Sequence, residues 1–164
     1  MFEITTSRLR LIPLEFDYLE MLKNSRSELE NALGLEPSDY EFFGKYLDIR
    51  IESFMFWSEN LQSLKTDYRF HTNWEIIVQG ENKSIGSASF LGAPNGKGEV
   101  ILGYFIDPNY RRKGFMTEAI REISDWALAN GAKKVVSFVE EDNPAIEGFL
   151  ATCGFRKETI YVKD

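Results

Sequence analysis

The stretch over residues 107–118 constrains the fold more than any other part of the sequence, because it joins an apolar strand to a long amphipathic helix. Before it, residues 100–106 form a nearly unbroken apolar run of strand length, and Pro108 lacks the N–H that would continue a sheet ladder. After it, apolar residues recur with helical spacing until Gly131, a residue suited to a left-handed helix end. The sequence therefore predicts that a strand ends and a helix begins at a basic turn that contains glycine.

The start of this helix predicts an anion-binding site. The first amide groups of a helix have no partner inside it and carry a partial positive charge, which favours a phosphate group. Arg111, Arg112 and Lys113 add formal charge at the same place. Gly114 has no Cβ atom, so a pyrophosphate could approach the backbone closely. The alternative is a solvated surface turn, although cations at the positive end of a helix are unfavourable unless an anion offsets them.

The size and composition of the chain limit its possible functions. Its 164 residues are the length of one ordinary domain, and no linker divides them, so residues 1–164 are expected to form a single domain. No apolar run could span a bilayer and no signal peptide is visible, so no membrane partner is expected. The one cysteine excludes an internal disulfide and fits a cytoplasmic location. The net charge of −7 argues against nucleic acid and favours cationic small molecules or peptides.

The remaining periodicities predict an α+β fold with a mixed, mostly antiparallel sheet and helices on both faces. Strands are predicted at residues 9–13, 73–79, 84–91, 99–107, 134–139 and 160–162, and helices at 16–34, 40–64 and 114–130 and in a short segment between Asn143 and Gly154. The strand at 134–139 follows a crossover, so it should run parallel to the strand at 99–107. The segment 40–64 carries more aromatic residues than one core-facing stripe requires. Part of it could line a substrate cleft or a homodimer contact, and a helix buried under the sheet is the alternative.

Several motifs between residues 84 and 156 resemble the GNAT N-acetyltransferases, and in particular their ribosomal-protein, or Rim-type, branch. These motifs are Arg111-x-x-Gly114-x-Met116, Gly103-Tyr104-Phe105-Ile106-Asp107-Pro108, Thr117-Glu118-Ala119, and Asn143-Pro144-Ala145 followed by Gly154-Phe155. The first is similar to the Arg/Gln-x-x-Gly-x-Gly/Ala signature of the family. The resemblance implies a GNAT fold, in which two parallel strands splay apart, and an enzyme that moves an acetyl group from acetyl-CoA to a primary amine.

The resemblance also implies where acetyl-CoA would bind. The pyrophosphate would lie on the amides of residues 112–117, and the pantetheine arm along Phe105 and Ile106, one of which would offer a backbone N–H to the oxyanion. Asn143 would hydrogen-bond the arm, or serve only as a helix cap. The expected cofactor-binding residues are Phe105, Ile106, Arg111, Arg112, Lys113, Gly114, Phe115, Met116, Thr117 and Asn143.

An amine acceptor must lose a proton, which requires a carboxylate or a water chain that ends on one. Glu99 is the first candidate for this catalytic base, because strand alternation places it on the face of Ile101 and Gly103. Many Rim-type relatives carry a glutamate where Ile101 stands. Glu75 on a neighbouring strand is the alternative, and either carboxylate could be a plain exposed side chain.

The sequence offers no candidate residue for a general acid and no candidate set of metal ligands. Leu150 stands where many GNAT enzymes have a tyrosine that protonates the leaving sulfur, and Ile146 replaces the serine of the Asn-x-x-Ser motif. Cys153 is interpreted as a packed small residue and not as a nucleophile. No His, Cys or carboxylate cluster has the spacing of metal ligands, so no metal is expected.

The sequence is compatible with more than one class of acceptor amine. The resemblance favours the α-amino group of a peptide or protein N-terminus, and a small polyamine or an antibiotic is the alternative. Helices between residues 16 and 64 and the turn at 93–98 are expected to border the acceptor pocket. A non-catalytic acyl-CoA binding module and a nucleotide-binding protein that uses the same turn for ATP are two further classes.

Overall fold

The structure is a computed structural model that describes residues 1–38, 48, 51–52, 54–56, 59, 67–138, 143–157 and 161–163. The strands are β1 (Ile4–Thr5), β2 (Leu9–Pro13), β3 (Asn73–Val78), β4 (Lys83–Phe90), β5 (Glu99–Ile106), β6 (Lys134–Ser137), β7 (Arg156–Lys157) and β8 (Tyr161–Lys163). The α-helices are α1 (Phe16–Asn24), α2 (Arg26–Leu33), α3 (Phe115–Ala129) and α4 (Pro144–Thr152). In the described residues, two short 3-10 helices span Tyr68–Phe70 and Pro108–Tyr110.

Within these residues the strands form one mixed sheet in the order β1-β2-β3-β4-β5-β6-β8-β7. Neighbouring strands are antiparallel except for β5 and β6, which pair in parallel through the crossover that contains α3. The connection has to be long because a parallel partner cannot be reached by a hairpin. The predicted α+β class, with its mostly antiparallel sheet and its parallel pair, is confirmed.

Alternation along the strands divides the apolar residues between two cores, one on each face of the sheet. On one face, Trp74 and Ile76 of β3 pack with Ile120 and Ile123 of α3. On the other face, Ile77 belongs to the cluster that α1 and α2 complete. Full burial of each such aliphatic side chain stabilises the fold by roughly 1.5–3 kcal/mol. The two-residue period of β3 thus places helices on both faces of the sheet.

The N-terminal helix was predicted to continue to about Gly34, and the structure corrects this to two helices. Ser25 separates them with an extended backbone at φ −163° and ψ 148°. Its hydroxyl accepts a hydrogen bond from the Glu28 N–H at 3.1 Å, so Ser25 caps α2. Gly34 ends α2 in the left-handed conformation.

Most of the aromatic-rich segment 40–64 lies outside the described residues. Residues 51–52 and 54–56 are helical. The expected cleft or homodimer contact in this segment therefore stays a prediction. Among the described residues, no helix is both long enough and apolar enough to cross a membrane.

The C-terminal part of the sheet differs in detail from expectation. Strand β6 ends at Ser137, shorter than the predicted 134–139, and the side chain of Phe138 is 60% exposed. Strand β8 lies one residue later than predicted, and the short strand β7 that pairs with it was not predicted. A two-residue strand is too short for alternation to reveal it.

Candidate active site

Strands β5 and β6 pair at one end and separate at the other. Their register joins Glu99, Val100 and Ile101 to the first three residues of β6. From Leu102 to Ile106, β5 stays paired with β4, but in the described part of the chain it has no partner on its other side. The parallel pair therefore opens into a V beyond Ile101.

The hydrogen-bond pattern shows which backbone groups of β5 point into this opening. The carbonyl of Ile101 accepts from the Leu91 N–H at 2.9 Å, and the Asp107 N–H donates to the Ile85 carbonyl at 2.8 Å, so the odd-numbered positions bond to the β4 side. Backbone directions alternate along a strand. The N–H and C=O groups of Leu102, Tyr104 and Ile106 are therefore directed towards the opening.

Because of this alternation, the N–H groups of the two residues proposed as oxyanion donors point in opposite directions. The N–H of Phe105 points towards Ser87 on β4, whereas that of Ile106 points into the opening. Backbone polar groups away from water ordinarily have partners, so a strand edge of this kind is suited to an extended ligand that carries amides.

Beyond β5, the basic turn ends in an uncapped helix. The Asp107 carboxylate accepts from the Asn109 N–H at 2.8 Å and begins the 3-10 helix that leads into the turn. Arg112 and Gly114 have positive φ angles of 60° and 80°, and Gly114 holds the N-cap position of α3. Because glycine has no side chain to accept from the first amides of the helix, those amides are left for an external acceptor. The strand-to-helix turn predicted at this place is confirmed.

A cleft of about 740 Å³ lies between the separated strand, the turn and α4. It is lined by Tyr104, Phe105, Ile106, Tyr110, Arg111, Arg112, Gly114, Phe115, Met116, Thr117, Asn143, Ala145, Ile146, Gly148, Phe149 and Thr152. The cleft is therefore apolar along β5 and α4 and cationic at the start of α3. Such a shape and charge suit a long apolar ligand that ends in an anion.

Every expected cofactor-binding residue except Lys113 lines this cleft. The Lys113 ammonium lies 5.0 Å from the ring centre of Tyr110, and its carbonyl accepts a hydrogen bond from Arg8. Asn143 lines the cleft and also caps α4, because its side-chain oxygen accepts from the Ile146 N–H at 3.3 Å. The cap role of Asn143 is therefore observed, and its hydrogen bond to the pantetheine arm stays a prediction.

Sequence reasoning missed the contribution of α4 to the cleft. Ala145, Gly148, Phe149 and Thr152 line it with the spacing of one helix face. That spacing, together with two small residues that leave room beside the helix, is a signal the sequence contains. The sequence does not indicate that α4 borders the opening, so the role of this helix face could be recognised only from the structure.

The two candidate bases have very different surroundings. Glu99 lies in the paired part of β5, does not line the cleft, and accepts a hydrogen bond from the Asn95 side chain at 3.2 Å. Glu75 is fully buried and accepts from Arg26 at 2.6 Å, from Ser84 at 2.5 Å and from Asn73 at 2.9 Å. Glu75 therefore forms a buried structural ion pair with Arg26. Glu99 is then the candidate base that an acceptor amine could approach.

Two titratable groups beside the cleft remain protonated at neutral pH. Burial, with a further contribution from the Cys153 thiol, raises the pKa of Tyr104 to about 12, although a hydrogen bond with Ser137 opposes the shift. Burial also raises the pKa of Cys153 to about 11, against the effect of a hydrogen bond with Thr117. Leu150, which the resemblance places where many GNAT enzymes have a tyrosine, is fully buried. Within the described ranges no group of three or more His, Cys, Asp or Glu side chains could hold a metal ion.

A mixed sheet whose parallel strands separate beside a helix start, with an apolar cleft ending in an anion site, is the arrangement expected of an acyltransferase that takes its acyl group from coenzyme A. The profile of the acetyltransferase (GNAT) domain matches residues 8–156, so the chain belongs to the GNAT acetyltransferase family. The uncharacterized N-acetyltransferase YjdG of Bacillus subtilis is 25% identical over 157 residues, which cover 93% of this chain and 88% of that protein. The probable N-acetyltransferase YjcK of the same organism is 26% identical over 147 residues, 84% of this chain and 80% of that protein.

Solved structures share the fold over nearly the whole chain. The ribosomal-protein-S5-alanine acetyltransferase of Vibrio fischeri has a TM-score of 0.65 and 17% identity, covering 96% of this chain and 85% of its own. RimL, a ribosomal L7/L12 α-N-protein acetyltransferase in complex with coenzyme A, has a TM-score of 0.63 and 14% identity, covering 99% and 97%. A spermidine N-acetyltransferase SpeG chimera from Vibrio cholerae and hSSAT has a TM-score of 0.60 and 19% identity, covering 93% and 82%.

The chain is therefore an acetyl-CoA-dependent N-acetyltransferase, and its own residues fit that co-substrate. The uncapped amides after Gly114 suit the pyrophosphate, and the cationic side chains of Arg111 and Arg112 lie at the same end of the cleft. The side of β5 that faces away from β4 beyond Ile101, where the described residues show no further strand pairing, suits the amides of the pantetheine arm. Acetyl-CoA, when bound, supplies the thioester that the amine attacks.

Proposed function

We propose that this N-acetyltransferase acts on the α-amino group of a peptide or protein. The observation that carries the proposal is the open face of β5 beside the cleft. Gly103 is exposed although it lies in an inner strand of the sheet, and Ile101 and Phe105 on the same face are only partly buried. An extended chain end could lie on this face with its terminal amine at the opening, whereas small ligands are ordinarily enclosed.

The same face carries the helices expected to border the acceptor. Phe105 lies opposite Ser87, Ser87 opposite Glu75, and Glu75 opposite Ile12, which packs in the cluster of α1 and α2. Residues directly opposite in neighbouring strands share a face of the sheet. The acceptor would therefore approach between these helices and β5, and likeness in fold to two ribosomal-protein acetyltransferases further supports a protein substrate.

We assign roles on the cofactor side as part of the proposal. The amides from Arg112 to Thr117 hold the pyrophosphate, and the backbone of Tyr104 and the carbonyl of Ile106 pair with the pantetheine arm. The Ile106 N–H donates to the acetyl oxygen as negative charge develops there. Asn143 hydrogen-bonds the arm with the part of its side chain that does not cap α4.

Glu99 remains the proposed general base. It lies two positions before Ile101, about 7 Å along the strand, and on the same face as Gly103. Because Glu99 does not line the cleft, the proton of the amine would reach it through water.

The acceptor is tested with a panel of amines at saturating acetyl-CoA. Peptides with a free N-terminus and no lysine, peptides with a blocked N-terminus and one lysine, spermidine and an aminoglycoside are compared by thiol release and product mass. We expect acetylation of the free α-amine and little reaction of the blocked peptide. Exclusive acetylation of spermidine or the aminoglycoside would overturn the proposed acceptor and leave the transferase assignment unchanged.

A small polyamine is the second candidate acceptor. The net charge of −7 favours a polycation, and the chain shares its fold with a spermidine N-acetyltransferase. Salt dependence separates the two candidates, because attraction of a polyamine to an acidic surface weakens as ionic strength rises. A peptide without basic residues would show little such dependence.

The proposal also includes a cytoplasmic location and a homodimer. The lone cysteine is a buried free thiol, which suits a reducing compartment. The homodimer rests on the aromatic residues of the segment 40–64, and analytical ultracentrifugation tests it directly.

A further inference from the structure

Arg8, just before β2, reaches across the sheet to the start of α3. Its Nε donates to Glu118 Oε2 at 2.7 Å, and its Nη1 donates to the Lys113 carbonyl at 3.0 Å. Its guanidinium carbon lies 4.5 Å from the ring centre of Phe115. A Cβ atom on Gly114 would lie 3.3 Å from the Arg8 Nη2. One side chain thus contacts the turn, the first residue of the helix and a carboxylate in its first turn.

Glu118 is held in place by the residues that precede β2. Its Oε1 accepts from the Thr6 hydroxyl at 2.5 Å, from the Ser7 hydroxyl at 3.1 Å and from the Arg8 backbone N–H at 3.0 Å. Burial acts to raise the pKa of Glu118, but the hydrogen bonds from Thr6, Arg8 and Ser7 together lower it. The carboxylate is therefore ionised at neutral pH.

An ionised Glu118 at the start of α3 competes with any phosphate for the positive end of the helix. The Arg8 guanidinium offsets that charge through a direct ion pair in which the Glu118 side chain is only 17% exposed. The remaining positive field of the helix start, with Arg111 and Arg112, is then available to an anion in the cleft.

The bond to the Lys113 carbonyl orients the turn itself. Lys113 stands between Arg112 and Gly114, both of which have positive φ, and it is the residue of the turn that does not line the cleft. Turns in which right-handed and left-handed backbone conformations alternate direct successive N–H groups to one side and form an anion-binding concavity. A donor that fixes the Lys113 carbonyl outside the cleft keeps the neighbouring amides directed into it.

We propose that Arg8 is a positioning residue for the pyrophosphate of acetyl-CoA, which acts by fixing the Lys113 carbonyl and by neutralising Glu118. This role concerns the co-substrate and not the acceptor, so it is independent of the acceptor proposed above.

The test compares Arg8→Ala with Arg10→Ala. Arg10 is an arginine of β2 that pairs with Glu3 at 3.0 Å, so its removal deletes a similar ion pair away from the turn. Coenzyme A and pantetheine, which lacks the pyrophosphate, are titrated calorimetrically into each variant. Km and kcat are measured with acetyl-CoA and S-acetylpantetheine.

We expect Arg8→Ala to weaken coenzyme A binding by about tenfold to a hundredfold, within the range of coupling between groups of one hydrogen-bond and ion-pair network. Pantetheine affinity and kcat at saturating acetyl-CoA should change by less than about twofold, and Arg10→Ala should match the unmodified protein. Equal loss of affinity for coenzyme A and pantetheine, or no loss for either, would overturn the proposal.

Arg8→Lys is a second variant that tests the same proposal if Arg8→Ala does not fold. Lysine retains the charge beside Glu118 but lacks the planar fork that bonds two acceptors at once. We expect an intermediate loss of coenzyme A affinity with the melting temperature preserved. An unchanged affinity in this folded variant would show that the bond to Lys113 has no role in binding.

Discussion

The backbone of Gly86 lies directly against the carbonyl oxygen of Phe105, and a Cβ atom at Gly86 would be 2.3 Å from that oxygen. We therefore expect Gly86→Ala to push β5 away from β4 and to destabilise the protein by about 1–3 kcal/mol, the usual range for overpacking. Because Phe105 and Ile106 line the cleft, coenzyme A affinity should fall as well. Urea unfolding and calorimetry measure both effects. Gly80→Ala is the control, since a Cβ there has nothing within 4 Å; equal behaviour of the two variants would contradict the prediction.

Gly114→Val should weaken coenzyme A binding at least tenfold, because Gly114 lines the cleft at the turn proposed to hold the pyrophosphate. A Cβ atom there would lie 3.3 Å from the Arg8 Nη2, so the larger side chain would displace Arg8 or the turn. Gly114 has a φ of +80°, so an L-residue there also costs on the order of 1–2 kcal/mol of stability. Gly131→Val is the matched control, because Gly131 has a φ of +107° and ends α3 far from the turn. Both variants should melt earlier, but only Gly114→Val should lose affinity. Comparable coenzyme A affinities in the two would exclude the turn as the phosphate site.

Glu99→Gln should lower the rate of acetyl transfer at neutral pH by on the order of 10²-fold, the loss expected when a general base is removed. Glutamine keeps the size of the side chain and its contact with Asn95, so coenzyme A binding should be unchanged. Glu122→Gln, on the exposed side of α3, serves as the control for loss of one negative charge. A normal rate in Glu99→Gln would assign proton removal to water alone.

Cys153 should be inert to thiol reagents in the folded protein. Burial raises its pKa to about 11, so less than about one molecule in a thousand carries a thiolate at pH 7.5. Cys153→Ala should keep transferase activity within about twofold, with only a small loss of stability from the shortened side chain. Reaction with a disulfide reagent before and after denaturation measures the first expectation. Rapid labelling of the native protein, or loss of turnover in the variant, would refute this interpretation.

Glu118 should make stability depend on pH in the acid range. Its pKa is lowered in the folded protein from 4.5, so its contribution is fully present above that value and is lost as pH falls through the lower, folded pKa. Glu118→Gln should therefore reduce the melting temperature near pH 7, and the difference from the unmodified protein should shrink below about pH 4. Thermal melts across this range measure the difference. A difference that is constant with pH would mean that the charge of Glu118 does not contribute.

The elements around the basic turn between β5 and α3 could be predicted because their signals in the sequence are local. Pro108 and Gly114 mark the end of β5 and the start of α3 within a few residues of each other. The break between α1 and α2 also had a local signal, because Ser25 followed by Glu28 forms the Ser-x-x-Glu pattern of a capping box. This capping-box signal was outweighed by the helical periodicity of the residues on either side, which predicted one continuous helix.

Contacts between distant parts of the chain could not be predicted in this way. The bond from Arg8 to the Lys113 carbonyl spans 105 residues, and no local pattern in either segment indicates the other. The same is true of Glu75, whose place on a strand suggested an available carboxylate. Its pairing with Arg26, 49 residues away, is set by how α2 packs on the sheet.

The ion pair between Arg8 and Glu118 joins positions 110 residues apart, so the turn at the start of α3 reaches its final form only after the segment before β2 has packed beside that helix. Contacts of such long sequence separation form late, because closing the intervening loop is entropically unfavourable. Coenzyme A would then bind the native state and not partly folded chains, and by mass action its presence during refolding should raise the yield of native protein. The cofactor would act as a folding ligand for an enzyme whose N-terminal segment completes the binding turn.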